Sequence, residues 1–257
     1  SGGAHGHADA LNLGLFAYGL DLLPEFGYPP VQFGGWESPR AQWYKQTTAH
    51  NTVVADGANQ RAAGGKCTLW ADGKAFHAVR ASCPEAAAIR RYERTVALCD
   101  VDARSSYIID VFRVSGGAEH VKFQHSHFGE LELDGVALGP AAELIPDTQM
   151  RNFRMGRVPD SGFAARWTVQ DRYGLLKAGQ TVGLQHWELT EDAEAGTCEG
   201  WIAVGGYNTN NGLWIPRLVV RSRAIKPATT FLAVLEPHDG RPRVESVRRL
   251  TLISPSG

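Results

Sequence analysis

Several features that would place this chain among nucleic-acid-binding or membrane proteins are scarce or missing. Lysine and arginine number 26 against 27 aspartate and glutamate, so there is no basic excess to neutralise a nucleic-acid backbone. No window approaches the roughly 18 consecutive apolar residues of a membrane span, and the N-terminal residues lack the charged and apolar regions of a signal peptide. We therefore predict a soluble chain that does not bind nucleic acid, and an export signal either lies upstream or does not exist.

Cysteine is also scarce. The four cysteines, Cys67, Cys83, Cys99 and Cys198, are 16, 16 and 99 residues apart, which fits no CxxC metal or redox spacing. Three disulfide connectivities are possible, but so few cysteines do not make a disulfide scaffold in a chain of 257 residues. We expect free, mostly buried thiols that pack as small hydrophobic side chains.

Helical patterns are few, and short strand-like runs separated by glycine, proline, aspartate and asparagine dominate the chain. This pattern favours an all-β sandwich or barrel. The sequence shows no fixed-period repeat and no low-complexity linker, so we predict one domain over residues 1–257. The predicted strands are Leu13–Tyr18, Asn51–Ala55, Ala75–Ala81, Arg94–Leu98, Ser106–Val114, His120–His125, Gly129–Leu133, Ala165–Gln170, Gly183–Leu189, Leu218–Arg223 and Thr229–Leu235.

Two segments carry more specific structural predictions. The run Tyr107–Val114 mixes alternating and continuous apolar character, which predicts a strand at the centre of a large sheet. The region Gly139–Gly162 contains Pro140, Pro146 and Pro159, and we predict a long loop over a sheet edge there.

Histidines and one carboxylate stand beside three of the strand-like runs. His5 and His7 flank Gly6, Glu25 follows Leu22-Leu23-Pro24, and His50 precedes Asn51-Thr52-Val53-Val54. Paired histidines near a terminus can simply be solvated. Imidazole nitrogen and carboxylate oxygen are nevertheless donors that zinc accepts in four-coordinate geometry, although separations of 18 and 25 residues between His7, Glu25 and His50 identify no particular site.

The wording and order of these separated motifs resemble the heparinase II/III-like family of polysaccharide lyases. The later runs Asp110–Gly117 and Phe231–Pro237 also look like the β-sheet region of that family, so the resemblance covers most of the chain. Its specificity lies in residues 3 to 60, in the runs His5–Asn12, Leu22–Tyr28, Trp43-Tyr44, Ala49–Gly57 and Asn59-Gln60.

The resemblance implies a large antiparallel β-sandwich, the C-terminal half of an enzyme whose N-terminal half is an α/α toroid. Such enzymes are periplasmic or secreted, and they cut uronic-acid polysaccharides such as glycosaminoglycans or alginate by β-elimination. The toroid supplies further catalytic groups, and no toroid-like sequence precedes Ser1. We therefore expect this chain to be the sandwich part of a longer lyase, inactive by itself.

Site residues follow from the same resemblance. His5 matches the catalytic-site histidine, and His7, Glu25 and His50 match three ligands of a structural zinc. The family more often has aspartate at the position of Glu25, so this chain has one additional methylene in that ligand. No HExxH motif is present to supply the general base of a metal-dependent hydrolase.

Other residues admit both a functional and a structural interpretation. Tyr28 and Tyr44 flank the ligand motifs and are candidate catalytic groups that could donate a proton, or packing residues. Trp36 could stack on a sugar ring, although the core is the more common place for tryptophans such as Trp43, Trp201 and Trp214. His127, which by the period of two is predicted to share a strand face with His125, is a candidate substrate-binding residue or a structural histidine.

Asn51 and Gln60 are predicted to hold loop backbone around the site. A second class of function remains open, a carbohydrate-binding or structural β-sandwich with no catalytic contribution.

Overall fold

Antiparallel strands make up most of the computed structural model, which describes residues 6–103, 105–205, 211–223 and 227–250. The strands are β1 (Leu15–Ala17), β2 (Leu20–Leu23), β3 (Val53–Ala55), β4 (Lys66–Asp72), β5 (Phe76–Ser82), β6 (Arg91–Asp102), β7 (Ser105–Ser115), β8 (Glu119–His125), β9 (Gly129–Asp134), β10 (Gly139–Pro140), β11 (Met150–Arg157), β12 (Phe163–Val169), β13 (Val182–Glu188), β14 (Glu194–Val204), β15 (Asn211–Arg223) and β16 (Thr229–Asp239). The α-helices are α1 (Pro39–Lys45) and α2 (Pro84–Ala87), and single 3₁₀ turns cover Val31–Phe33 and Thr47–Ala49.

The strands form a β-sandwich, as predicted. An eight-stranded sheet has the order β4-β5-β6-β7-β16-β13-β12-β9, and a six-stranded sheet has the order β10-β11-β14-β15-β8-β3. A small third sheet pairs β1 with β2. Strand β7 lies inside the larger sheet, which confirms the central position predicted for Tyr107–Val114. Each predicted strand overlaps an observed one.

The main core lies between the two large sheets. The larger sheet contributes side chains such as Phe112, Trp167 and Phe231, and the smaller sheet contributes Val53 and Leu218, all of them at most 1% exposed. Because side chains alternate between the two faces of a strand, the neighbours of Val53 and Leu218 point to the opposite face of the smaller sheet. That outer face carries its own apolar cluster.

The outer cluster positions the candidate site, because helix α1 packs there. Ser38 caps α1 by accepting a hydrogen bond from the backbone N–H of Ala41 at 3.2 Å, and Pro39 occupies the first helical position, where no N–H is needed. Trp43 and Tyr44 are buried among residues of β8, β14 and β15 such as Phe123. The packing of α1 therefore fixes the positions of the segment before the helix, which carries Glu25, and of the segment after it, which carries His50.

One predicted loop is wrong. Residues 139–162 contain β10 and β11, and β11 pairs with β14 along the smaller sheet. A register shift between Arg151 and Arg154 places Met150 and Phe153 in the core at a spacing of three residues. This bulge disrupts the period of two by which a strand is recognised from sequence.

The histidine pair His125 and His127 is also corrected. Strand β8 ends at His125, so His127 lies beyond the strand and does not share its face.

The four cysteines are free, as the sequence predicted. Cys83 and Cys198 are buried, Cys99 is partly buried and Cys67 is exposed. No helix among the described residues is long and apolar enough to cross a membrane.

Candidate metal centre

Three separate segments bring His7, Glu25 and His50 together on the outer side of the smaller sheet. His7 lies in the N-terminal segment, Glu25 follows β2, and His50 lies between the 3₁₀ turn Thr47–Ala49 and β3. The donor atoms of these residues and of Asp9 all lie within 4.8 Å of one another. The structure thus brings together the three residues that the resemblance predicted as ligands, and it adds a fourth candidate.

The spacing of the donor atoms suits a tetrahedral zinc ion. His7 Nδ1 lies 3.3 Å from His50 Nε2 and 3.7 Å from Glu25 Oε1, and His50 Nε2 lies 3.1 Å from Glu25 Oε2. Bonds of about 2.0 to 2.1 Å at tetrahedral angles separate neighbouring donors by about 3.3 Å. The residues present therefore fit the metal that the donor set predicts.

His50 is held in the orientation that a metal ligand needs. Its side chain is 2% exposed, and its Nδ1 lies 2.8 Å from the carbonyl oxygen of Gln46. A carbonyl can only accept, so Nδ1 carries the proton and donates it, which leaves the lone pair of Nε2 for the site. Such an outer hydrogen bond fixes both the tautomer and the ring plane of a histidine ligand.

Glu25 lies close to both histidines. Its side chain is one methylene longer than that of the aspartate usual in the resembling family. Its Oε1 also accepts a hydrogen bond from the backbone N–H of Gly27 at 2.9 Å, and Gly27 adopts a φ of +68° that favours glycine. Burial raises the pKa of Glu25, but the interactions of its carboxylate with His50, His7 and the backbone N–H of Gly27 outweigh burial and hold the pKa below its usual range. The carboxylate is therefore ionised and ready to bind a cation.

Asp9 is the residue that sequence reasoning missed. It is exposed and stands two positions after His7, across a bend at Ala8. Its place directly after the His5-Gly6-His7 run is the signal that could have identified it. Asp9 can complete a four-residue donor set with His7, Glu25 and His50.

Asn51 and Gln60 anchor the backbone around the centre, as predicted. The Asn51 side chain accepts a hydrogen bond from the backbone N–H of His125 at 2.8 Å and donates to the carbonyl oxygen of Leu13 at 3.3 Å. The Gln60 amide accepts from the N–H of Ala10 at 2.6 Å and donates to Tyr92. These contacts fasten the segment that carries His7 to β8 and β6.

The two tyrosines predicted to act at the site occupy different environments. Tyr44 is 5% exposed and lines a cavity with Glu25 and His50, and its hydroxyl accepts a hydrogen bond from the N–H of Ala203 at 2.7 Å. Burial raises the pKa of Tyr44 to about 12, so it keeps its proton at neutral pH. Tyr28 is 51% exposed and accessible to a large ligand.

Tyr28 and Trp36 together form an exposed aromatic surface. Their rings meet edge to face with centroids 5.3 Å apart, and Trp36 is 43% exposed. Lys45 at the end of α1 places its ammonium 5.5 Å from the centre of the Trp36 ring. The surface thus offers aromatic faces and a cation in one place, which suits an anionic sugar.

His127 belongs to a different cluster, where it packs against Phe128 and Tyr173 with ring centroids 4.7 and 6.3 Å away. Its Nδ1 is buried without a hydrogen-bond partner, and burial lowers its pKa. It is not among the residues that converge on His50. His5, the predicted catalytic histidine, lies outside the described residues.

Comparisons with known proteins agree on the fold. The family model described as "Heparinase II/III-like, C-terminal" matches residues 1–210. A comparison with the curated proteins finds no match.

Among solved structures, a heparinase III gene product is 14% identical, with a TM-score of 0.66 and coverage of 93% of this chain and 31% of the other. Heparan sulfate lyase HepC from Pedobacter heparinus is 15% identical, with a TM-score of 0.55 and coverages of 92% and 31%. At these identities the likeness establishes a common fold. This chain spans about a third of the length of each of these proteins.

Proposed function

This chain belongs to the heparinase II/III-like family, because its residues 1–210 match the C-terminal region of that family, and on that premise we propose that it is the β-sandwich part of a polysaccharide lyase. The reaction would be β-elimination on a uronic-acid-containing polysaccharide. The observation that carries the proposal is the convergence of His7, Glu25 and His50 from three segments, with donor spacings that suit zinc. The same three residues match the ligand set that the resemblance to the lyase family implies.

The proposal includes a second, helical part. The chain covers 31% of the heparinase III and HepC structures, and the resembling lyases place their substrate cleft between a toroid and a sandwich. We propose that the side of the sandwich carrying His7 and Trp36 faces such a partner region in a longer protein, outside the cell or in the periplasm.

In β-elimination a base removes the proton at C5 of the uronate, and the glycosidic oxygen at C4 leaves and takes up a proton. Within this chain we assign His5 to contact the substrate, since a histidine can accept or donate a proton near neutral pH. Tyr28 offers a phenol that a polysaccharide can reach. Tyr44 keeps its proton and lies beside Glu25 in the cavity, where it is a candidate donor if the substrate or a structural change exposes it.

His7, Glu25 and His50 would hold the metal, and Asp9 can join them. The zinc, when bound, would supply a fixed positive charge that ties the three segments together. With His7 bound in this way, the backbone next to His5 is held in place, so His5 can be presented to the substrate in a defined position. Positioning of this kind is worth large factors in rate, since a misplacement of about 1 Å can cost on the order of a hundredfold.

The substrate class is supported by the surface formed by Tyr28, Trp36 and Lys45. Aromatic faces pack against the apolar faces of pyranose rings, and the Lys45 ammonium can pair with a uronate or sulfate group. The same surface is the observation that favours the second candidate function, a sandwich that binds an acidic polysaccharide without catalysis.

An activity assay separates the two candidates. The full-length natural protein that contains this sequence is incubated with heparan sulfate, heparin, chondroitin sulfate, hyaluronan and alginate, and the ultraviolet absorbance of unsaturated uronates is followed. We expect turnover on one of these polymers, loss of most turnover in His5→Ala, and none with the 257-residue chain alone. Binding without turnover by the full-length protein would favour the second candidate.

A further inference from the structure

A small cavity lies beneath the candidate metal centre, between α1 and the outer face of the smaller sheet. Glu25 and His50 line its upper side, and Trp43, Tyr44 and Arg217 line the remainder together with apolar groups such as Ile215. The cavity has a volume of about 10 Å³. This is room for one water molecule or one monoatomic ion, and it is too small for a sugar carboxylate.

Arg217 enters this cavity from the middle of β15 and is 2% exposed. Gly200 on the neighbouring strand makes room for it, because a Cβ there would lie 2.7 Å from Arg217 Cδ. Nε of Arg217 is buried without a hydrogen-bond partner, and Nη2 makes one long bond of 3.5 Å to the carbonyl oxygen of His50. Most of the N–H donors of this guanidinium are therefore unused.

The charge of Arg217 also lacks a partner. Burial lowers its pKa to about 10, so the guanidinium is still protonated at neutral pH. No carboxylate within the described ranges forms an ion pair with it, and the rings of Trp43 and Phe123, with centroids 5.4 and 5.6 Å away, compensate only part of the charge. A buried cation without a counter-charge is strongly unfavourable.

Glu25 contributes a carboxylate to the cavity wall, but both of its oxygens are already engaged by other groups. Oε1 accepts from Gly27 and faces His7, and Oε2 faces His50. The hydroxyl of Tyr44 accepts a bond from Ala203, which leaves its own proton available as a donor. The cavity thus contains a guanidinium that has no direct ion pair with the carboxylate in the same wall, an available O–H donor and space for one small particle.

We propose that this cavity is a binding site for a monoatomic anion, chloride under ordinary conditions, held by the guanidinium of Arg217 and the hydroxyl of Tyr44. The anion neutralises Arg217, which in turn contacts the carbonyl group of His50. A water molecule would fill the same space but would leave the charge uncompensated. The site goes beyond the proposed lyase function and does not depend on it.

The test compares thermal unfolding of the 257-residue chain in sodium chloride and in sodium gluconate at equal ionic strength. Gluconate is too large for the cavity, so we expect saturating chloride to raise the Tm by about 5 °C relative to gluconate. Bromide should bind more weakly, because the cavity is small. In crystals grown with bromide, an anomalous scattering peak is expected beside the Arg217 guanidinium.

Arg217→Met should abolish the difference between chloride and gluconate, whereas Arg151→Met, which removes an exposed arginine over the Trp214 ring, should retain it. If Arg217→Met does not fold, Gly200→Ala and Tyr44→Phe test the same site, and each should reduce the difference. The proposal is overturned by equal Tm values in the two salts, by a chloride effect that persists in Arg217→Met, or by bromide that binds only elsewhere. If a metal ion held the chloride instead, the chloride effect would persist in Arg217→Met, and the proposal would be overturned.

Discussion

Arg94 and Asp110 form a bidentate ion pair in the interior, with Nε to Oδ1 at 2.8 Å and Nη2 to Oδ2 at 2.7 Å. The remaining guanidinium nitrogen, Nη1, donates to the carbonyl oxygens of Leu11 and Asn51 at 2.8 and 2.7 Å. One buried side chain of the larger sheet therefore holds the backbone of the two segments that carry His7 and His50. The candidate metal centre is connected to the core of the sandwich through this arginine.

Arg94→Met should destabilise the protein and weaken the metal centre together. The substitution leaves Asp110 as a buried, unpaired carboxylate, which typically costs about 3 to 5 kcal/mol, and it removes both carbonyl contacts. Urea unfolding would measure the loss. Arg151→Met, which breaks an exposed pair with Glu199, should change stability by less than about 1 kcal/mol. Similar losses in the two variants would contradict this interpretation.

Removal of one ligand should remove the metal. We expect zinc content after dialysis to fall from near one ion per chain to near zero in His50→Ala, and a chelator to lower the Tm of the wild type but not of the variant, because metal binding adds to the free energy of folding. His77→Ala is the matched control, since His77 pairs with Asp72 and Asp100 away from the donor cluster. Unchanged zinc in His50→Ala would refute the site.

Acid should destabilise the interior through Glu188 and His186. Burial raises the pKa of Glu188, but the Lys122 ammonium at 2.7 Å and His186 outweigh burial and lower it to about 2. Burial lowers the pKa of His186. Both groups bind protons more weakly when folded, so their stabilisation is present above their unfolded pKa values and is lost as the pH falls.

The loss should begin near pH 6.5 for His186 and run from about pH 4.3 towards 2 for Glu188. Urea unfolding at a series of pH values would measure it. Glu188→Gln is expected to be less stable at neutral pH, because it leaves Lys122 without its carboxylate, and to depend less on pH below about 4.3. Glu130→Gln, at an exposed position of β9, should keep the wild-type profile. A variant profile parallel to that of the wild type would exclude Glu188 as a source.

Trp36→Ala should weaken binding of an acidic oligosaccharide about tenfold, or about 1.4 kcal/mol, by removing an exposed aromatic contact. The Tm should change little, since Trp36 is 43% exposed. Trp70→Ala offers a comparison, because Trp70 is 75% exposed on the edge strand β4. Calorimetric titration would measure the affinities. Equal affinity in the wild type and Trp36→Ala would remove this surface from the binding site.

The sequence predicted strands where apolar residues alternate, and it failed where glycine or a bulge interrupts the pattern. Strand β14 contains Gly196 and Gly200, which suggest turns in a sequence. In the structure a Cβ at position 196 would lie 1.8 Å from the carbonyl oxygen of Arg154, so glycine is needed for β11 and β14 to approach. Such a requirement depends on strand register, which sequence patterns do not specify here.

The convergence of the three proposed ligands was predictable because each lies in a short motif that resembles the lyase family. The residues that support them were not, since Arg94 and Arg217 contact Asn51 and His50 across 43 and 167 residues of sequence. In a sequence each is one arginine among many. Only the pairing of the strands shows that these two are buried beside the site.

The bridge from Asn51 to β8 joins segments that are far apart in the sequence. Asn51 bonds to His125, and His125 Nε2 donates to the carbonyl oxygen of Pro24, 101 residues earlier in the chain. Contacts so distant in sequence form slowly, because a large loop must close first. We expect the residues proposed as metal ligands to come together late in folding, in which case bound zinc slows unfolding and leaves the refolding rate almost unchanged. The metal would then raise the barrier to unfolding of the native state without accelerating its formation.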